Sequence, residues 1–237
     1  MSLAPRQTAL DILLDVDKGP STLDQRMDRF HRESRFDRRD EAFITALVYG
    51  VLRWRGRLDG IIAGISRTPL SRMDRRIVNI LRMGLYQILY MDRVPDSAAV
   101  NTAVDLAKTS DKKWLNGFVN AILRKALRSL PDIAQPAVDK NEVRHLAMVH
   151  SMPEWLIRRW IDAWGPKETT ALCQAINQIP PLTIRTNTLK IDRSSLVDRI
   201  KNIAEKVDFT SFAPDGITIE GFYLTNFWIV RVARFGA

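Results

Sequence analysis

Leu47-Val48-Tyr49-Gly50-Val51-Leu52-Arg53-Trp54-Arg55-Gly56-Arg57-Leu58-Asp59 is the stretch whose reading decides the fold. With Ile44 before it, Leu47, Val48, Val51 and Leu52 recur at the three-and-four spacing that lines one helical face, and strands would instead alternate. An apolar helix therefore ends here in three guanidiniums around a tryptophan. Two readings fit that ending. Arginine forks suit phosphate and an indole can stack on an unpaired base. Equally, cations at a helix C-terminus offset the macrodipole while Trp54 packs inside.

The same periodicity extends outward. Ile77, Ile80, Leu81, Gly84, Leu85 and Ile88 form a second stripe, and Leu115, Phe118, Val119, Ile122, Leu123, Ala126, Leu127 and Leu130 a third. Shorter helices are predicted over Pro5 to Val16 and Ser97 to Lys108, the latter capped by Asp96 or Ser97. Connections such as Arg67-Thr68-Pro69-Leu70 and Arg93-Val94-Pro95-Asp96 are short, so residues 1–130 read as one all-α bundle.

Beyond it, Leu130-Pro131-Asp132 and Gln135-Pro136 break the pattern. Residues 131–179 read as a linker and a helical pair, with Ser151 and Glu154 at capping-box spacing, Trp160 and Trp164 on a shared face, and a stop at Gly165-Pro166. Residues 180–221 begin a small α+β unit. Leu182 to Asn187 and Gly216 to Ile219 alternate like strands, with a helix over Ser194 to Ile203 between them. Phe222 to Val230 is strongly apolar and opens a tail, 222–237, that expects a covering surface. The expected class is mainly α: a helical bundle, a helical linker and an incomplete small α+β unit.

Charge is uneven. The 237 residues carry 36 Lys/Arg and 27 Asp/Glu, a formal +9. Residues 1–130 hold 23 of the basic and 15 of the acidic ones, net +8. A basic half points to a polyanionic partner, RNA or DNA. Arg6, Arg72, Arg75, Arg76, Lys112 and Lys113 join Arg53, Arg55 and Arg57 as candidate phosphate contacts, with Arg124, Lys125 and Arg128 along the outer face of the third stripe. A lone Cys173 excludes an internal disulfide and a multi-thiolate zinc site, and points to a reducing cytoplasm. His31, His145 and His150 lack metal-ligand spacing, so no metal is expected. Gly60 and Gly64 share a face suited to close helix packing. No stretch reads as a signal peptide or a bilayer span, and a membrane partner is not expected.

Leu47 to Asp59 resembles the central helix signature of the NusB-like domain that opens bacterial rRNA cytosine-C5 methyltransferases of the RsmB (Sun/Fmu) type. Leu81-Arg82-Met83-Gly84-Leu85-Tyr86-Gln87-Ile88-Leu89, then Asp92-Arg93-Val94-Pro95 with Ala99-Val100-Asn101, and Gly117-Phe118-Val119-Asn120-Ala121-Ile122-Leu123-Arg124 look like that family in the same order. Pro180 to Lys190 resembles the first strand of the region that follows.

The resemblance implies an NusB-like RNA-binding domain, a small α/β region, and a Rossmann-like domain that binds S-adenosylmethionine and methylates a cytosine. The family's acidic-Cys-Ala-Ala-Pro-Gly-Gly-Lys type of cofactor loop and its Pro-Cys and Thr-Cys pairs have no counterpart in this sequence, and Cys173 matches neither pair. Cytosine-C5 transfer needs a thiolate that adds to the ring, so no catalytic or cofactor-binding residue is assigned. The expectation is a cytoplasmic RNA-binding N-terminal portion, holding small-subunit rRNA without catalysing alone and facing the methyltransferase domain. Arg185 and Asn187 face RNA or that domain on the strength of the resemblance only. The alternative is a free-standing NusB-like module in transcription antitermination or protein interaction.

Overall fold

The computed structural model describes residues 3–19, 21–108, 114–130, 141–202 and 204–220. Its first helix, α1 (Ala4–Lys18), carries Pro5 in its opening turn, where a missing N–H costs nothing, and stops at Gly19, whose φ of 87° lets its N–H turn back to the Val16 carbonyl. α2 (Leu23–Glu33) opens on a capping box between Thr22 and Gln25. α3 (Arg38–Arg53) is capped by the Asp37 carboxylate on the Asp40 N–H, and α4 (Arg55–Ile65) follows with only Trp54 between. A short 3-10 turn, Leu70–Arg72, leads to α5 (Arg75–Tyr90), capped by Asp74 on the Arg76 N–H.

α5 is the axis of the bundle. Residues 77–85 of it are buried without a break, the pattern of a helix enclosed on all sides. α1, α3, α4, α6 (Asp96–Lys108) and α7 (Trp114–Arg128) pack against it. Leu10, Ile44, Leu47, Leu58, Ile62, Ile80, Leu81, Leu85 and Leu123 have no exposed surface, each worth about 1.5–3 kcal/mol of apolar burial. The three stripes expected from sequence form this core. At the α5–α7 contact a Cβ on Gly84 would lie 2.7 Å from Leu123 Cδ1, so the helices approach as glycine allows.

α8 (Glu142–His150) and α9 (Glu154–Asn177) share a small core of Leu146, Ala147, Ile157 and Cys173. The chain divides into two compact units, Met1–Asn177 and Gln178–Ala237, and the first includes α8 and α9. The sequence reading expects a linker and a helical pair over 131–179. α8 packs on α4, where a Cβ on Gly60 would meet Met148 Cγ at 2.8 Å; Gly64 faces open space. Ser151 does not open α9. It closes α8 in the left-handed region (φ 57°) and its hydroxyl accepts the Gly56 N–H at 2.7 Å. Gly165 (φ 78°, ψ 168°) breaks α9 into two helical segments rather than ending it, and Trp164 is exposed while Trp160 is half-buried.

In the second unit β1 (Leu182–Arg185), α10 (Arg193–Ile200), β2 (Lys206–Phe209) and β3 (Gly216–Glu220) form a three-stranded sheet in the order β1-β3-β2. β3 runs antiparallel to both neighbours, pairing Ile217 with Ile184 and Phe209, and Ile219 with Leu182 and Val207. β1 and β2 are therefore parallel, joined across β3 by α10: a split βαβ. Ile200, Ile217 and Ile219 are its core. Arg193 fixes the β2–β3 turn by donating to the Gly216 and Thr210 carbonyls and lies 4.1 Å over the Phe209 ring. The tail from Phe222 lies outside the described residues. No helix among them is long and apolar enough to cross a membrane, and no three His, Cys, Asp or Glu among them form a metal-holding group.

Candidate nucleic-acid interface

The joint between α3 and α4 is Trp54. Its indole stacks on the Tyr90 ring at 4.8 Å and 15°, and Tyr90 in turn meets Tyr86 at 5.3 Å. Of the two readings of this indole, stacking inside the protein is the one realised. Burial pushes the Tyr90 phenol up to about 12 and raises that of Tyr86; the Arg57 and Arg53 cations act against the rise at Tyr90 and Tyr86 respectively.

The three arginines of the decisive stretch part company. Arg57 lies 5.8 Å over the Trp54 ring and reaches the Val149 carbonyl at 3.5 Å. Arg53 is half-buried beside Tyr86. Arg55 turns to α1 and pairs with Asp17 at 3.1 Å.

Asp17 organises a network beneath them. It accepts from Asn79 Nδ2 at 2.8 Å and lies 4.0 Å from Arg82, while its backbone carbonyl accepts from Arg75 at 3.3 Å. Arg82, with 7% of its side chain exposed, forks onto Asp59 at 2.7 and 2.8 Å and donates to Asn79 Oδ1 at 2.9 Å. A planar guanidinium suits that bidentate geometry. Residues of α1, α4 and α5 are thus tied by charge inside the bundle.

Arg6 is a correction. Only 3% exposed, it donates to Gln87 Oε1 at 2.8 Å and sits 4.6 Å over the Phe43 ring. Burial lowers its pKa while Asp40 opposes the drop. A guanidinium so enclosed does not present itself to phosphate; it orients helix packing. Arg76 is half-buried on Gln7 Oε1 at 3.1 Å, whereas Arg72 and Arg75 are exposed. Lys112 and Lys113 lie outside the described residues. In the second unit Arg185, 86% exposed, stands 4.0 Å from Asp215, and Asn187 is exposed with its side chain accepting the Leu189 N–H.

Elsewhere the structure gathers cations that the sequence reading treats separately. Lys125 of α7 donates to the Ile65 carbonyl in the last turn of α4 at 3.3 Å. The chain leaves that turn through Arg67 toward Arg72, so α7, with its outer cations Arg124, Lys125 and Arg128, meets the chain where the 66–74 loop begins. All five are exposed. Arg67 is not singled out by its sequence neighbours. The available signal is an absence of acid: from Gly60 to Met91 the one carboxylate is Asp74, and 114–130 contains none.

His150 and His145 sit apart from any ligand set. His150 is buried, and desolvation, then the Arg57 and His145 charges, lower its pKa. Cys173 is fully buried and its thiol pKa is raised by burial, as fits a small core residue.

Residues 3–128 match the family model described as the NusB family, and residues 152–224 that of the ferredoxin-like domain of RsmF/B-like methyltransferases. A probable ribosomal RNA small subunit methyltransferase B of Synechocystis is 34% identical over 219 residues, covering 92% of this chain and 49% of the relative. Its Bacillus subtilis counterpart is 30% identical over 217 residues, covering 90% and 47%. The chain spans about half the length of these curated relatives. A solved structure described as the crystal structure of PH0851 shares the fold, with a TM-score of 0.63 at 18% identity over 94% of this chain and 49% of that one.

Proposed function

The chain belongs to the NusB family, and from that premise we propose that it is the RNA-binding N-terminal part of an S-adenosylmethionine-dependent rRNA (cytosine-C5) methyltransferase. The observation that carries this reading is the order of the two family matches, the helical unit running on into an RsmF/B-type segment as in the named relatives. Its task is to hold small-subunit rRNA in the cytoplasm for a methyltransferase domain that binds the cofactor and supplies the thiolate. The exposed cations of the first unit that no carboxylate holds meet phosphates. Alone, the chain binds and does not catalyse. A free-standing antitermination module is the weaker reading, because residues 152–224 match a methyltransferase segment that such a module has no use for.

Fluorescence anisotropy with a small-subunit rRNA fragment across a salt series tests the reading. Affinity should fall with a log–log slope of roughly −0.7 to −0.9 per neutralised phosphate. An affinity indifferent to salt, or none, overturns it. Calorimetry with S-adenosylmethionine should give no saturable heat.

A further inference from the structure

We infer that the outer face of α7 and the adjoining 66–74 loop form one surface that grips the phosphate backbone of double-helical RNA. The inference rests on the RNA-binding reading above and names the surface and the class of RNA.

Three observations carry it. First, Lys125 on the Ile65 carbonyl brings α7 to the end of α4, where the loop that carries Arg67 and Arg72 begins, and Arg67, Arg72, Arg124, Lys125 and Arg128 are all exposed. No ion pair among the described residues involves any of them, whereas Arg55 and Arg82 are held by carboxylates. Second, acidic side chains are few among the described residues of the elements around them, α6 carrying Asp96 in its first turn besides Asp105. α5 contains no Asp or Glu, Asp59 of α4 is held by Arg82, Asp105 of α6 pairs with Lys108, and Asp74 caps α5. The field over this face is positive, and Arg124 is hydrogen-bonded to the neutral Asn120.

Third, the described residues of this surface offer no stacking platform. Proteins that hold single strands combine cations with exposed aromatic rings. Here the exposed aromatic of α7 is Trp114, ten residues before Arg124 and so about 15 Å along the helix. Cations without rings read backbone and shape, which is how double-helical RNA is recognised.

The test uses the 237-residue chain with a duplex of roughly 16 base pairs and an unstructured single strand of equal phosphate number. The duplex should bind the more tightly. The triple variant Arg124→Ala, Lys125→Ala, Arg128→Ala should bind it roughly a hundredfold more weakly at near-physiological salt, with the salt slope shallower by about 0.9 per removed cation. The pair Arg67→Ala, Arg72→Ala should cost roughly thirtyfold. Alanine favours helix, so the triple variant should keep its melting temperature; the loop pair probes the same face without touching α7. Both variants binding within threefold of the parent would overturn the surface, and a single strand bound as tightly as duplex would overturn the class. Failure of the parent chain to bind either RNA would instead overturn the RNA-binding reading itself, and the inference with it.

Discussion

Gly50→Ala is the substitution on which the geometry of the Trp54 joint is most exposed to refutation. A methyl group there would lie 2.5 Å from Tyr86 Cε1 and closer still to its Cζ and Oη, where ordinary contact begins near 3.4 Å. The ring must leave. Doing so forfeits its contact with Tyr90, about 0.5–1.5 kcal/mol, and repacks a filled site, about 1–3 kcal/mol. Against this stands the gain of alanine over glycine inside a helix, about 1 kcal/mol. The balance is a loss of about 2 kcal/mol, or about 4–8 °C in melting temperature for a chain of this size, read by circular dichroism. Partner variants sharpen the result. With Tyr86→Ala in place the methyl has room, so adding Gly50→Ala should restore about 1 kcal/mol; Tyr86→Phe should rescue nothing, because Cζ remains. A Gly50→Ala chain that melts at or above the parent, or the same loss in the Tyr86→Ala background, would refute the described packing.

Three further outcomes are expected. Arg82→Met should destabilise by about 3 kcal/mol, since it strands Asp59 without its guanidinium while Asp17 keeps Arg55; adding Asp59→Leu should recover much of the melting temperature. Arg53→Ala, Arg55→Ala and Arg57→Ala together should lower the melting temperature by several degrees yet leave RNA affinity within about threefold, because Arg55 is paired with Asp17, Arg57 lies over Trp54 and Arg53 is half-buried beside Tyr86; the opposite pair of results would return them to the interface. His150 has a folded pKa below its unfolded one, so it favours folding above the unfolded value near 6.5, and that contribution is lost as pH falls below it toward the folded pKa. Melting temperature should drop between pH 7.5 and 5.5, and His150→Leu should flatten that part of the profile.

The bundle was legible because α3, α5 and α7 bury stripes long enough for a 3.6-residue period to declare itself. α2 was not, since Met27 and Phe30 alone mark its inner face among charged residues. β2 was missed for a similar reason: Lys-Val-Asp-Phe is short and half charged, and its pairing with β3 is a long-range fact. The chemistry divided along the same line. Arginine content announced a basic half, but whether a guanidinium faces water depends on partners far away in sequence, as Arg6 depends on Gln87 and Arg55 on Asp17. Arg67 acquires meaning only when α7 is brought to the end of α4. Ser151 shows the limit for local motifs, since capping-box spacing was present while the backbone had already turned to close α8.

The Arg82 fork and the α7 cations also differ in how they age under mutation. Five arginines and lysines contributing comparable increments lose affinity in steps, and drift can move one charge to a neighbouring turn without abolishing the field. Arg82 has no such latitude, because its three nitrogens donate to fixed acceptors on α4 and α5 with Asp17 of α1 close by. Among related chains the exposed surface should therefore vary in sequence at constant charge, while the arginine on Asp59 is kept or replaced together with its partners.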